Sequence, residues 1–543
     1  MKYNFKNMKI LLIIPRYLLT DKPNYEYSFP LGLAYISASM KKQRYEVDCL
    51  NLNHLNGKID KILTRKLKLK NYEIICTGHI GIGYRVLEKI IQTIRDYSSN
   101  SKIILGGAII TPEPKLIFES LKPDYAVIGE GETTIIELLK TIKNKTSPEK
   151  VNGIIFKKDK KTIITKPREA IKNIDELPIP DFEGMDFEKQ LNNMSANNSP
   201  YGLFDYPRVY PIMCSRGCPF QCTFCYHCLG IRYRERSIEN VMQELRKNVK
   251  KYQINLIALY DDLFSINKER LYKFCDEIKN LIKELDWECK WTCQLSVRNI
   301  DDEMLKKLKE AGCYAVSFGF ESYSQKVLNS MKKPITPELI DRAINLTKKH
   351  KMIVQGNFIF GDRAETKETA KTTLDYWKKN CSEQIYLGFI QPYPGSEIYN
   401  HCIKKEIIKD KLDFIKNHMN ETNWFNMTDN MTDSEVLELK KDILEARRKY
   451  SSYVVPTKFK KEKKHKRYSL LIKCPGCKKK MIYKNFFIED KLVFTQWSSC
   501  KNCKRRFNIA SPLYKIGVQN HKRINFLKNI YLSLRENISK RNL

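Results

Sequence analysis

The sequence predicts an α/β protein in three parts: an N-terminal doubly wound parallel sheet, a central six-unit partial barrel and a small C-terminal module built on metal. Three observations carry this. Short, continuously apolar runs alternate with helical patterns over residues 8–150, as expected of parallel strands buried on both faces. The alternation pauses at a proline-spaced connector and resumes for six further units between 207 and 400. Nine of the 17 cysteines fall in two tight groups, at 214–228 and 474–503, and clustering of that kind points to metal.

In the first part, Lys9–Pro15 reads as a strand and Leu31–Lys42 as a helix. Tyr45–Leu50, Glu73–Thr77, Ile103–Gly106 and Tyr125–Ile128 read as further strands, and Tyr84–Tyr97 and Thr133–Lys145 as helices. Glycine-bearing loops follow the strand ends at Gly78, Gly106-Gly107 and Gly129-Glu130-Gly131-Glu132, where such a sheet forms its binding crevice. A ligand there is flat or phosphorylated. Val151–Lys166 reads as a small hairpin, and Asp175–Asp181, with prolines at 178 and 180, as an extended connector. The six barrel strands are expected at Val209–Met213, Leu256–Tyr260, Lys290–Val297, Ala315–Phe320, Val354–Phe360 and Ile385–Ile390. Residues 401–450 read as mostly helical and Pro456–Lys466 as a basic linker. The expected divisions are 1–150, 151–206, 207–400, 401–466 and 467–543.

Chemistry concentrates in Cys218-Pro219-Phe220-Gln221-Cys222-Thr223-Phe224-Cys225, directly after the first barrel strand. Three thiolates spaced C-x3-C-x2-C can hold three irons of a [4Fe–4S] cluster and leave the fourth open to chelate a ligand. Spacing alone also suits a zinc knuckle. Cys214 and Cys228 fall outside the triad spacing and read as non-ligands. Further segments follow in barrel order: Tyr260-Asp261-Asp262, Gly319-Phe320-Glu321-Ser322, Gly356–Gly361 with Glu365-Thr366, and Tyr393-Pro394-Gly395-Ser396. Together with the cysteine triad, these residues resemble the radical S-adenosylmethionine (SAM) enzymes across 207–400. The resemblance implies that Cys218, Cys222 and Cys225 ligate the cluster and that the open iron binds SAM. One electron, from a donor such as flavodoxin or ferredoxin, would then release a 5′-deoxyadenosyl radical. It also implies SAM contacts at Phe224, Glu321 and Gly361. Glu321 can accept hydrogen bonds from a ribose, and Gly361 permits close backbone approach to an adenine.

Residues 8–182 resemble the cobalamin-binding domain that stands beside this barrel, through Pro30–Tyr35, Gly106-Gly107, Gly129–Glu132 and the connector. The resemblance implies cobalamin contacts at Thr77, Gly78, Gly106, Gly107, Gly129 and Glu130. The D-x-H-x-x-G motif that supplies an axial histidine to cobalt is missing. His54 reads as a surface loop residue and His79, after the third strand, as a weak ligand candidate.

The tail carries Cys474-Pro475-Gly476-Cys477 and Cys500-Lys501-Asn502-Cys503, paired C-x2-C knuckles that match a structural zinc ribbon. An auxiliary iron–sulfur cluster or a rubredoxin-like iron would use the same four thiolates. Residues 451–543 hold 24 Lys/Arg against 4 Asp/Glu, so +20 of the chain's +35 lies there. That excess suits a solvated basic surface or contact with nucleic acid. The longest N-terminal apolar run, Ile10–Ile14, is closed by Pro15-Arg16. It is too short for a signal peptide, and no run approaches a membrane span, so the expectation is a cytoplasmic enzyme. Methylthiolation of RNA is disfavoured, because the N-terminal domain offers only Cys49 and Cys76 for a second cluster. Radical chemistry with or without methyl transfer stays open, as does the substrate.

Overall fold

The computed structural model describes residues 8–17, 19–198, 202–264, 266–419 and 425–519. Residues 520–543 of the expected tail lie outside them. The N-terminal half is one seven-stranded sheet. Its elements are β1 (Lys9–Ile14), α1 (Leu31–Lys42), β2 (Glu46–Asn51), α2 (Ile59–Leu69), β3 (Ile74–Gly78), α3 (Tyr84–Tyr97), β4 (Lys102–Gly106), α4 (Pro114–Leu121), β5 (Tyr125–Val127), α5 (Glu132–Asn144), β6 (Ile154–Lys158) and β7 (Lys161–Ile164). The strand order is β2-β1-β3-β4-β5-β6-β7; the first five are parallel, and the expected hairpin β6–β7 adds antiparallel to the edge. The order reverses between β1 and β3, and at such a switch point the loops part to leave a crevice beyond the strand ends.

After α6 (Phe187–Asn193), six parallel strands line up in sequence order: β8 (Val209–Ile212), β11 (Leu256–Leu259), β12 (Lys290–Gln294), β13 (Cys313–Glu321), β14 (Ile353–Phe360) and β15 (Tyr386–Phe389). Between β8 and β11, the two-residue strands β9 (Ser215–Arg216) and β10 (Arg234–Glu235) close the long first loop on itself. The intervening helices are α7 (Ile238–Lys251), α8 (Lys268–Lys283), α9 (Asp302–Glu310), α10 (Gln325–Ser330), α11 (Pro337–Lys349) and α12 (Lys367–Asn380). Their starts are legible in the sequence. Ser237, Asn267, Asp301, Thr336 and Thr366 each accept a backbone N–H of the first turn with the side chain. The helices α1 and α5, whose starts border the N-terminal crevice, have no such cap.

The helices α13 (Glu397–Lys404), α14 (Lys411–Asp413) with a following π turn, and α15 (Asp433–Tyr450) complete the α/β part. The tail folds as two three-stranded sheets, formed by β16 (Tyr453–Val454), β17 (Lys458–Lys461), β18 (Arg467–Lys473), β19 (Lys480–Phe487), β20 (Thr495–Ser499) and β21 (Arg506–Ala510), with α16 (Pro512–Gln519) last. Here the linker reading of Pro456–Lys466 is corrected. Lys458–Lys461 pairs antiparallel with Leu471–Tyr468 as an edge strand. Its exposed lysines mask the strand signal because they hold the edge in water, which keeps it from pairing with another chain.

One buried core joins a face of the N-terminal sheet to the barrel, through Leu12, Ile104, Phe182, Tyr210 and Trp291 among others. A second covers the opposite face of that sheet and extends to Tyr399 and Phe414. The tail has its own core around Leu470, Tyr483 and Phe507. Among the described residues, no helix is long and apolar enough to cross a membrane.

Candidate active site

The loop after β8 is pinned at its base. Asp261, just past the end of β11, accepts the Cys214 backbone N–H at 2.6 Å and the Ser215 hydroxyl at 2.7 Å. Burial pushes the Asp261 carboxyl up to about 6 despite those bonds. Gly217 turns the loop at φ +82°, and a Cβ there would meet the Arg232 carbonyl oxygen at 2.4 Å, so only glycine fits. Beyond it, Cys218, Cys222 and Cys225 line one cavity of about 1000 Å³ at the C-terminal ends of the barrel strands. Burial raises all three thiols, Cys225 to about 12. Thiolates in this place need a cationic partner, which the irons of a cluster supply. The residues present fit a three-thiolate cluster.

The same cavity is walled by Phe224 and by Glu321 at the tip of β13. Glu321 is 4% exposed and sits at φ +61°, an uncommon backbone for a non-glycine residue and one that clusters at functional sites. Its Oε1 accepts from Lys333 Nζ at 2.9 Å. Gly319 makes room for this pair, since a Cβ there would stand 2.3 Å from Glu321 Oε1 and 2.7 Å from Lys333 Nζ. Gly361, at φ +100°, is outside the cavity wall, although Asn357 and Ile359 of the preceding strand are in it. Its N–H donates to the buried Glu365, whose carboxyl is pushed up to about 7 by burial.

A second cavity, of about 460 Å³, opens at the β1/β3 switch point. Thr77, Gly78, Gly106, Gly107, Gly129 and Glu130 all line it, together with Leu12, Ile14 and Ile104. A Cβ at Gly106 or Gly129 would point into open space, so the glycines leave a shelf that a flat ligand can occupy. This glycine-rich, largely apolar cradle fits a corrin. Gly107 could not be replaced without strain: it sits at φ +92°, and its Cβ would meet the His79 carbonyl oxygen at 2.9 Å. Thr77 Oγ1 is committed to the Ile13 carbonyl at 3.1 Å.

The two histidines separate clearly. The surface reading of His54 is corrected: it is 4% exposed, its Nε2 lies 2.9 Å from the Tyr27 hydroxyl, and its Nδ1 lies 3.3 Å from Asp186. The chain doubles back over it through Tyr25 and Tyr27, which a local sequence pattern cannot show. His79 does reach the second cavity, but its Nε2 is 3.1 Å from the Arg16 carbonyl and its Nδ1 3.2 Å from the Ile80 carbonyl.

Glu130 reaches this cavity with its carboxylate already engaged. It accepts from Arg216 at 2.8 Å and from Arg234 at 2.8 Å, while Glu132 accepts from Arg216 at 2.6 Å. Both arginines belong to the cysteine loop, so the network ties the two cavities together; sequence reasoning missed it because no local pattern links residue 130 to residue 216. Cys228 lines both cavities, and Cys214 lies fully buried beneath the loop.

In the tail, the sulfurs of Cys474, Cys477, Cys500 and Cys503 all lie within 4.8 Å of one another, with Cys474–Cys503 at 3.7 Å and Cys477–Cys500 at 3.6 Å. Four thiolates about 2.3 Å from a tetrahedral ion stand about 3.8 Å apart, so the set fits zinc. The Lys479 backbone N–H helps to draw the Cys477 thiol down to about 6.

Comparison with known proteins agrees with this geometry. The Radical SAM superfamily profile matches residues 212–376, and the B12 binding domain profile matches residues 24–139. An uncharacterized methyltransferase of Pyrococcus horikoshii is 31% identical over 416 residues, 74% of this chain and 85% of the relative. The chain belongs to the cobalamin-dependent radical SAM enzymes. As a member of that family it implies a [4Fe–4S] cluster, SAM and cobalamin as cofactors, and an electron donor to start the chemistry. Other relatives of the enzyme differ in reaction. The cytidylyl-2-hydroxyethylphosphonate methyltransferase of Streptomyces wedmorensis is 24% identical over 74% of this chain and 82% of its own. The anaerobic magnesium-protoporphyrin IX monomethyl ester cyclase of Rubrivivax gelatinosus is 26% identical over 75% and 73%. Two solved structures share the fold. These are the radical SAM methyltransferase TsrM from Kitasatospora setae with cobalamin and [4Fe–4S] bound (TM-score 0.59, 17% identity, 73% of this chain and 75% of that one) and the cobalamin-dependent enzyme OxsB with aqua-cobalamin (TM-score 0.57, 18%, 81% and 62%).

Proposed function

We propose that this enzyme transfers a methyl group to an unactivated carbon of its substrate. The observation that carries the reading is the shared wall of the two cavities. Cys228 faces both, and Arg216 of the cysteine loop lines the glycine-rich one, so a corrinoid and SAM would be held side by side. When bound, the cluster and SAM supply a carbon radical by one-electron cleavage, and methylcobalamin supplies the methyl group.

The chain's own residues then have the following roles. Cys218, Cys222 and Cys225 hold the cluster. Phe224 and Glu321 position SAM, with Lys333 fixing the Glu321 carboxylate, and Gly361 supports the end of β14 from outside the wall. Gly78, Gly106, Gly107 and Gly129 seat the ring, Thr77 holds the β1–β3 edge, and Glu130 acts by clamping the cysteine loop to the cradle. Cys474, Cys477, Cys500 and Cys503 bind a structural zinc. A small one-electron donor of the flavodoxin or ferredoxin kind serves the cluster, in a cytoplasmic setting suited to 17 cysteines that form no disulfide among the described residues.

The test is anaerobic reconstitution with iron, sulfide, methylcobalamin and reductant, followed by incubation with cell extract and SAM deuterated in its methyl group. Mass analysis should find a product that gains one labelled methyl. A product that loses hydrogen without gaining label would replace this reading with oxidative or cyclising chemistry, which the similarity to the cyclase favours as the second reading.

A further inference from the structure

The barrel cavity does not end below the cysteines. A further cavity of about 530 Å³ continues it toward the start of the strands, and Gln294 and Ser317 line both. In a closed barrel this space is filled by layers of bulky side chains. Here the inward positions are small or polar. Strand register sets them in rows: Ala258, Thr292 and Ala315 in one, Gln294, Ser317 and Gln355 in the next, and Gly319 with Asn357 in a third. Burial alternates to match. Along β14, Gln355 and Asn357 are exposed while Val354, Gly356 and Phe358 are buried, and Gln294 at the end of β12 is exposed as well. Mid-strand residues open to water mean that the lumen is hollow. Among the described residues, the side-chain amides of Gln294, Gln355 and Asn357 and the hydroxyl of Ser317 have no hydrogen-bond partner in the protein.

The tail backs the far end of this lumen. Glu26 and Met194 line the lower cavity. Arg467 of the tail stands 3.9 Å from the Glu26 carboxylate, and Asn485 donates to the Met194 carbonyl at 3.1 Å. The tail also holds both edges of the open barrel. Lys501 pairs with Asp205, ahead of β8, at 2.7 Å, and Arg505 with Glu383, ahead of β15, at 2.7 Å. It thus bridges the gap between the two edge strands and makes the lumen a bounded site.

The chemistry of the lower lumen selects its occupant. Glu26 is its one carboxylate among the described residues, and no Lys or Arg lines it, so an anionic arm has no partner there. An alkyl chain would strip water from the amides and leave each of them unpaired, at the full desolvation cost. A peptide arm finds no free main-chain groups on these strands, whose backbone is taken by the sheet. Hydroxyls both donate and accept, as a carboxamide does, so a chain of them can satisfy the whole row. Tyr260, 45% exposed at the same wall, adds a flat ring face.

We propose that the substrate of this enzyme carries an uncharged polyol arm, as a glycan does, and that Gln294, Ser317, Gln355 and Asn357 hold it in the lumen with the reacting carbon at the cysteine end. The inference rests on the methyl-transfer reading in taking the barrel cavity as the substrate site.

The test uses the reconstituted, cobalamin-loaded full chain with SAM present. Saturation-transfer NMR titrations read the binding of maltotriose, cellotriose and triacetylchitotriose, with tetraglycine as the peptide probe. At least one sugar should bind, and more tightly than tetraglycine. Gln294→Leu and Gln355→Leu should each weaken it about fivefold, a usual loss for one neutral hydrogen bond. Gln92→Leu, on the surface of α3, should keep all of it. Iron and corrinoid contents equal to the wild type show that each variant is folded and loaded. Failure of every sugar to bind, or equal binding by wild type and the double variant, overturns the proposal. Tetraglycine binding more tightly than every sugar also overturns it, in favour of a peptide arm. A labelled methyl in a product without a hydroxylated arm overturns this inference and leaves methyl transfer standing. Sugar binding of the expected kind with no labelled methyl in any product would sink methyl transfer and leave this inference standing.

Discussion

At the scale of single residues, the site is built by removing side chains as much as by placing them. Gly217 lets the cysteine loop turn against the Arg232 carbonyl, and Gly319 leaves room for the Glu321–Lys333 pair. The cluster ligands follow from this loop. Cys222→Ala should lose most of the reconstituted iron and all SAM cleavage, because each thiolate holds one iron. Cys214→Ala and Cys228→Ala should keep about four irons per chain, as one [4Fe–4S] cluster requires. A brown Cys222→Ala protein that cleaves SAM would remove the triad from its role. The corrinoid site makes a second prediction at this scale. His54 stays outside the cavity, and the ring nitrogens of His79 face backbone carbonyls. Cobalamin should therefore bind without a protein nitrogen on cobalt. Electron paramagnetic resonance of the Co(II) form should show no nitrogen splitting from the protein, and His79→Gln should leave the spectrum unchanged. Splitting that disappears in His79→Gln would establish His79 as the ligand. A bulky residue at Gly107 should abolish uptake, since it strains the loop that carries the cradle.

Among elements, the sequence speaks clearly where burial and hydrogen bonding are local. Helices α1 and α3 begin and end at the residues that their apolar spacing marks out, and the six barrel strands differ from expectation by one to three residues at their ends. The structure adds α2 and α4 to the expected helices. The edge strand β17 was illegible for a different reason: its four residues are exposed, so no burial pattern marks it. At the site, what the sequence displays is the covalent spacing of thiols and glycines. What it hides is pairing at long range: Glu130 with Arg216, His54 with Asp186, and α15 over the mouth of the barrel. The tail shows both kinds at once. Its knuckles are read at sight, yet their geometry depends on two hairpins meeting, β18–β19 around residues 474–477 and β20–β21 around residues 500–503. Metal analysis of the full chain should find about one zinc beyond the cluster iron, and Cys500→Ala should lose it. The small sheets should then loosen, with protease cutting between 455 and 519, because a site of this kind holds its fold through the metal. Iron with a charge-transfer absorption in place of zinc would assign the tail to electron transfer.

For the whole molecule, the two large lobes are joined by apolar core and, at the cysteine loop, by a buried polar fastening. Arg216, Arg234, Glu130 and Glu132 are all nearly inaccessible to water, and they cross from the cysteine loop to the glycine cradle. Well-paired charges in such a place add little net stability, but removing one partner strands the others in a medium that cannot solvate them, at a cost of about 3–5 kcal/mol. Glu130→Gln should therefore lower the urea midpoint strongly near neutral pH and weaken corrinoid uptake, while iron incorporation suffers less. The pH dependence tests the cause. Burial alone would raise the Glu130 pKa, but the bonds from Arg234 and Arg216 bring it below the ordinary carboxylate value. A carboxylate with a depressed folded pKa stabilises the native state above its unfolded pKa, and that contribution disappears as the pH falls through the folded value. The gap between wild type and Glu130→Gln should then be widest near neutrality and shrink in acid below the ordinary glutamate range. A gap that stays constant through that range would mean that Glu130 acts by shape, and the fastening between cluster loop and cradle would have to be sought in the apolar contacts alone.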